Sequence, residues 1–165
     1  MVSALFDRAL LALDTVSSWV VMAAMTVLTV VVTVQVFFRY VLNESLDWGW
    51  DVPRLCFIVA LLLAIPLALA RNLHVGVDLL VEVIGVRWRR LIYRFNAALM
   101  AALMLMVAYY AVVLGHATWD QRLPGLDVSV GFFYVALFIA AVHSVLHLIR
   151  WMQRGGPPPR VEAVE

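Results

Sequence analysis

The sequence predicts an all-α membrane protein: four transmembrane helices, a short amphipathic interfacial helix between the second and third, and both termini cytoplasmic. Three observations carry that expectation. The 165 residues are 65% hydrophobic and 14% charged, more apolar surface than a soluble domain of this size can bury in one core. Four uncharged stretches, 15–38, 55–70, 95–119 and 128–149, approach or exceed the roughly 20 residues that cross a bilayer. The tryptophans, Trp19, Trp48, Trp50, Trp88, Trp119 and Trp151, all fall near the ends of those stretches, where amphipathic indoles favour the membrane–water interface.

Ahead of the first stretch stand Asp7, Arg8 and Asp14, which do not make a positive leader, and the apolar run that follows is too long for a signal h-region; it reads as an uncleaved anchor. The second stretch is short. It reaches spanning length if its helix begins near Asp51, with that side chain as N-cap, Pro53 in the tolerant first turn and Arg54 snorkelling outward. Pro66 predicts a kink further in. The third and fourth stretches are long enough as they stand.

The connection between the second and third spans, "RNLHVGVDLLVEVIGVRWRR", places Val77, Leu80, Val81 and Ile84 at helical spacing opposite Asp78 and Glu82. This predicts a helix lying in the interface against membrane lipids. Residues 1–150 thus form a four-helix transmembrane domain, and 151–165, ending "RGGPPPRVEAVE", a flexible cytoplasmic tail. Arginine placement sets the orientation. Arg8, Arg71, Arg87, Arg89, Arg90, Arg94, Arg150, Arg154 and Arg160 fall on one side, and Arg39, Arg54 and Arg122 on the other. The positive-inside rule puts the first group in the cytoplasm.

Composition also excludes functions. A net charge of +1 argues against a nucleic-acid partner. Cys56 is the sole cysteine, so there is no internal disulfide, CxxC pair or cysteine-cluster metal site. No acid falls inside the four stretches, so the membrane-embedded carboxylate of a proton-coupled small exporter is missing. His116 is expected near one face, and His143 and His147 near the other, which does not suit two axial ligands of one haem; these histidines are expected to hydrogen-bond within or between helices. No nucleophile triad, acid pair or phosphate loop is visible. No catalytic residue, cofactor ligand or metal ligand is assigned, and the chain is read as no enzyme. An autonomous four-helix small transporter and a haem-binding membrane redox protein are the alternatives.

Small residues recur at helix-packing spacing: Ala60, Ala64 and Ala68 in the second span, and Ala97 with Ala101 and Ala98 with Ala102 in the third. Such seams let helices approach closely, within the chain or against another membrane protein.

Three segments carry a resemblance. "FFRYVLNESLDWGWDVPR" presents Arg39, Tyr40, Asn43, Trp48, Asp51 and Arg54; "RNLHVGVDLL" presents His74, Val77 and Asp78; "QRLPGLDVSVGFFY" presents Gln121, Arg122, Pro124, Leu126, Gly131 and Tyr134. In this order, between four spans, they resemble the DctQ-type small membrane subunit of tripartite ATP-independent periplasmic (TRAP) transporters. Trp50 stands where that family usually has a second acid, and Ser129 where a proline is common.

The resemblance implies a multi-pass protein of the bacterial inner membrane that works beside a large TRAP membrane subunit and a periplasmic substrate-binding protein. It implies sodium-driven uptake of an organic acid through the elevator-like large subunit, with the small subunit enlarging the static scaffold. Arg39, Tyr40, Asn43, Trp48, Asp51, Arg54, His74, Asp78, Gln121 and Arg122 would then be structural or partner-interface residues. Arg39 and Arg54 are expected to pair with Asp51 or Glu44, Trp48 and the neighbouring Trp50 to anchor at the interface, and His74 to hydrogen-bond Asp78 one turn on.

Overall fold

The computed structural model describes residues 2–44, 46–71 and 86–154. The expected interfacial helix with His74 and Asp78, and the tail beyond Arg154, lie outside the described residues. Four helices are long and apolar enough to cross a membrane. They are α1 (Val2–Phe37), α2 (Asp51–Ala70), α3 (Val86–Ala117) and α4 (Gly131–Arg154).

α1 and α4 depart from their expected spans for local reasons. α1 starts well before residue 15, so Asp7 and Asp14 are part of it. Its far end widens into a π-helical turn, Phe38–Leu42, closed by Asn43 at φ 55°. The amides of Asn43 and Glu44 both donate to the Phe38 carbonyl. Asparagine is among the few side chains that tolerate this left-handed position, and such a residue commonly ends a helix. α2 runs through Pro66 and begins at Asp51.

α4 begins at Gly131 rather than at residue 128, because Leu126–Ser129 pairs antiparallel with Arg122–Leu123. Pro124 and Gly125 make the tip of this small hairpin, a pairing suited to a tight turn. At its other end α4 continues to Arg154. Trp151 and Met152 pack against the cluster of Leu69, Ala97, Ala101 and Leu148, so the bundle extends past the expected tail boundary at 150.

α4 is the hub: it packs along α3 and against α2, while α1 lies chiefly on α2. Small residues allow the close α3–α4 approach. Ala97, Ala101, Ala108 and Ala111 of α3 and Ala136, Ala140 and Ala141 of α4 are buried. A Cβ on Gly115 would stand 3.2 Å from that of Tyr134. The seams are thereby apportioned: Ala97 and Ala101 pack inside the chain, whereas Ala98 and Ala102 face outward. Likewise Ala60 is buried and Ala64 is exposed.

α1 stands apart. None of its most apolar stretch is buried by the rest of the chain, and Trp19, Met22, Met25, Val30 and Val36 are exposed. The hydroxyls of Thr15, Thr26, Thr29 and Thr33 each donate to the carbonyl four residues earlier at 2.8–2.9 Å. Those polar groups are satisfied within the helix, so the surface α1 offers a neighbour is effectively apolar.

Candidate functional site

Polar side chains gather at the two ends of the bundle. At the hairpin end, α2 begins beside the turn that leads into α4. Asp51, 7% exposed, occupies the first turn of α2 but makes no capping bond there. Its Oδ2 instead accepts the Gly125 amide at 2.6 Å. The carboxylate thus ties α2 to the hairpin tip, which corrects the expectation of an N-cap. A charge-assisted bond to a part-buried amide is worth about 1.5–3 kcal/mol.

Ser129 and Gly131 complete this end. The Ser129 hydroxyl donates to the Trp119 carbonyl at 2.5 Å and accepts the Gly131 amide at 3.0 Å. One side chain therefore closes the end of α3 and opens α4, and a serine can start the last helix where the family commonly has proline. Trp119 stacks on Phe132 with ring centroids 5.8 Å apart. A Cβ on Gly131 would fall 2.6 Å from Trp119 Cε3, a position only glycine can occupy without rearrangement.

The expected ion pairs of Arg39 and Arg54 are not formed among the described residues. Arg54 lies over the Phe133 ring at 5.7 Å, and Arg39 over the Tyr40 ring at 5.9 Å. The reason is geometric: Asp51 turns toward Gly125, so Arg54, one turn further along α2, meets the start of α4. Arg122 pairs with Asp127 at 3.6 Å, but both side chains are largely exposed, where such a pair is worth little. The Gln121 carbonyl accepts the Val130 amide at 2.9 Å, holding the hairpin base.

Asp51, Arg54, Gln121 and Arg122 therefore belong to one neighbourhood of α2, hairpin and α4. Arg39, Tyr40 and Asn43 stand on the end of α1, with Tyr40 73% exposed. Trp48 and Trp50 are exposed on the connecting turn. Between them, Gly49 lets that turn approach Gln35 of α1, whose side chain would be 3.0 Å from an added Cβ.

The terminal end was not singled out by sequence reasoning. Here α1 presents Asp7, Leu10, Asp14 and Ser17 to His143, His147, Arg150 and Arg154 of α4. Asp7 pairs with Arg150 and, at 3.4 Å, with Arg154. The Nε2 atoms of His143 and His147 each lie 2.9 Å from the same oxygen, Asp14 Oδ1, and 3.2 Å from one another.

His143, Ser144 and His147 are buried, and the Ser144 hydroxyl donates to the Ala140 carbonyl at 2.8 Å. Ser17 Oγ approaches His143 Nδ1 at 3.5 Å. With both Nε2–H groups donating to Asp14, that Nδ1 is an acceptor for the serine. The histidines do hydrogen-bond between helices, but an acid absent from the expected spans organises them. They sit on one helix and converge on one point, whereas axial haem ligands must face each other across a ring. His116 lines a separate crevice with Trp119 and Tyr134.

A signal for this end was present. Asp7, Leu10, Asp14 and Ser17 repeat at helical spacing on one face of α1, and His143, His147, Arg150 and Arg154 do so on α4. Opposite charge on two such faces indicates that they meet.

Comparison with known proteins bears on both ends. The model of the family described as tripartite ATP-independent periplasmic transporters, DctQ component, matches residues 28–154. A putative TRAP transporter small permease protein of Haemophilus influenzae is 24% identical over 123 residues, covering 72% of this chain and 74% of that protein. The family match runs from α1 to the last residue of α4, and so takes in the hairpin end and His143 and His147. The chain belongs to the DctQ component family of tripartite ATP-independent periplasmic transporters, as a small subunit of such a transporter in the bacterial inner membrane.

Proposed function

We propose that this subunit is a non-catalytic scaffold for the large membrane subunit, which moves the substrate. The observation that carries this reading is the surface of α1: a spanning helix that rests on α2 along one side, has no fully buried residue in its most apolar stretch, and has its threonines bonded internally. Such a face suits packing against lipid or another membrane protein. Small-residue positions Ala98 and Ala102 on the outside of α3 offer a second close-packing face.

The polar groups support the same reading. At both ends they tie helix to helix, and among the described residues they do not surround a solute-sized chamber near mid-span, where transporters bind their cargo. On the resemblance set out above, the cargo is an organic acid captured by a periplasmic binding protein, and a sodium gradient drives the uptake. Arginine placement supports a cytoplasmic terminal end and a periplasmic hairpin end. The exposed Arg39, Tyr40, Trp48 and Trp50 would then face the large subunit, the binding protein or the outer headgroups.

The test is assembly. Co-expressed with its large subunit and extracted in mild detergent, this chain should co-purify in fixed ratio. Arginine in place of exposed apolar residues on α1, such as Val30→Arg, should abolish co-purification while the chain itself stays monodisperse. Quantitative release of the wild-type chain, with uptake by the large subunit unaffected by its absence, would overturn the proposal.

A further inference from the structure

We propose that Asp14, His143 and His147 form a zinc-binding site that clamps α1 to α4. Three ligand atoms, Asp14 Oδ1 and the two imidazole Nε2 atoms, form a triangle with sides of 2.9, 2.9 and 3.2 Å. Donor atoms held about 2.0–2.1 Å from a tetrahedral zinc ion stand roughly 3.3 Å apart. The triangle is therefore one face of that tetrahedron, contracted by a few tenths of an ångström. An ion can be taken up by small outward shifts of three ligand atoms that already lie within 3.2 Å of one another.

The donor set suits the ion. Two imidazoles and a carboxylate are ordinary zinc ligands, and three protein ligands leave a fourth position open. That position has access to solvent, because Asp14 and His147 line a cavity of about 260 Å³ with Asp7, Arg150, Trp151 and Arg154. A water molecule entering there completes four-coordination.

Electrostatics also asks for a cation. Arg150 and Arg154 both turn to Asp7, so they do not neutralise Asp14. The Asp14 side chain is 21% exposed and faces the two imidazoles. With those rings neutral, the half-buried carboxylate keeps two hydrogen-bond partners but no positive one, and a cation would supply it.

Coordination needs no net proton loss from a neutral ring. Each imidazole moves its proton from Nε2 to Nδ1 as Nε2 binds the ion. On His143 the new Nδ1–H points at Ser17 Oγ, now the acceptor. A hydrogen bond from the non-ligating nitrogen is the usual way a zinc-bound histidine is held.

The placement gives the ion structural leverage. Further along the bundle, α1 and α4 are separated by an apolar crevice of about 590 Å³, lined by Val16, Val20, Val59, Val135 and Ile139. The polar cluster is the main direct tie between the two helices, and a metal–ligand bridge would strengthen it.

The experiment uses the full chain without an affinity tag, purified in detergent and stripped with a chelator. Titration with zinc chloride should show one saturable site and raise the unfolding temperature. Cobalt(II) should bind there with the intense visible absorption of a four-coordinate ion. Asp14→Asn, His143→Gln and His147→Gln should each weaken zinc binding more than tenfold and remove the thermal shift, and Ser17→Ala should weaken it about tenfold. His116→Gln should bind as the wild type does. Asp14→Asn keeps the shape of the side chain, and its monodispersity checks that loss of binding is not loss of fold. Absence of saturable binding to the wild type, or equal binding by Asp14→Asn and His147→Gln, would overturn the proposal.

Discussion

The two ends of the bundle are held by different means. At the hairpin end, side chains satisfy backbone groups: Asp51 binds the Gly125 amide, and Ser129 bridges the Trp119 carbonyl and the Gly131 amide. At the terminal end, side chains satisfy one another: Asp7 holds Arg150 and Arg154, and Asp14 holds His143 and His147. The first arrangement fixes where helices start and stop, and depends on local geometry. The second fixes which helices lie side by side, and depends on matching charge. A subunit whose first helix is otherwise little covered needs both: a rigid turn set at one end and a specific latch at the other.

Substitutions can break this contrast, and the largest effect should come from geometry. Gly131→Val places side-chain atoms where Trp119 already stands. It should cost about 3 kcal/mol, at the upper end for overpacking, read as a marked fall in unfolding temperature in detergent. A wild-type melting curve would mean that the hairpin end is not tightly set.

Asp51→Ala should follow, at about 2 kcal/mol, because it leaves the Gly125 amide without its partner. Asp51→Asn keeps an acceptor oxygen and should recover part of that loss. Equal melting of the alanine and asparagine variants would argue against the amide tie.

At the other end, Asp7→Ala removes the partner of Arg150, whose side chain is 15% exposed. Since Asp7 itself is 33% exposed, solvent screening should reduce the cost to about 1–2 kcal/mol, below that of a fully buried pair. Raising the salt concentration should shrink the difference from wild type; a salt-independent loss would point to packing instead.

Arg54→Met should have the smallest effect, under about 1 kcal/mol, because the methionine keeps apolar contact with Phe133 and only the cation–ring attraction is lost. A loss as large as that of Asp51→Ala would mean that Arg54 holds a carboxylate rather than the Phe133 ring.

How far the sequence could be read differs between the ends for the same physical reason. The four spans were visible as apolar runs, and the family signature as Arg39, Tyr40, Asn43, Trp48, Asp51 and Arg54 in order. Asn43 shows why one of these suits its place, through a left-handed backbone at the end of α1.

Asp51 stands out in the sequence, but its partner does not. A helix-start acid suggests a local cap, whereas its real partner lies 74 residues on, in the hairpin. Asp14 lies just ahead of the apolar run and so outside the span that run predicts, although helix periodicity carries α1 back through it. Its partners lie 129 and 133 residues away, and only pairing the faces of α1 and α4 could have joined them.

The scaffold reading is tested most directly by solute uptake into sodium-free proteoliposomes with and without sodium outside, comparing this chain alone, the large subunit alone, and both with the binding protein. The account predicts no uptake by this chain alone and sodium-dependent uptake by the complete set, with the large subunit alone impaired. Saturable uptake by this chain on its own would contradict it.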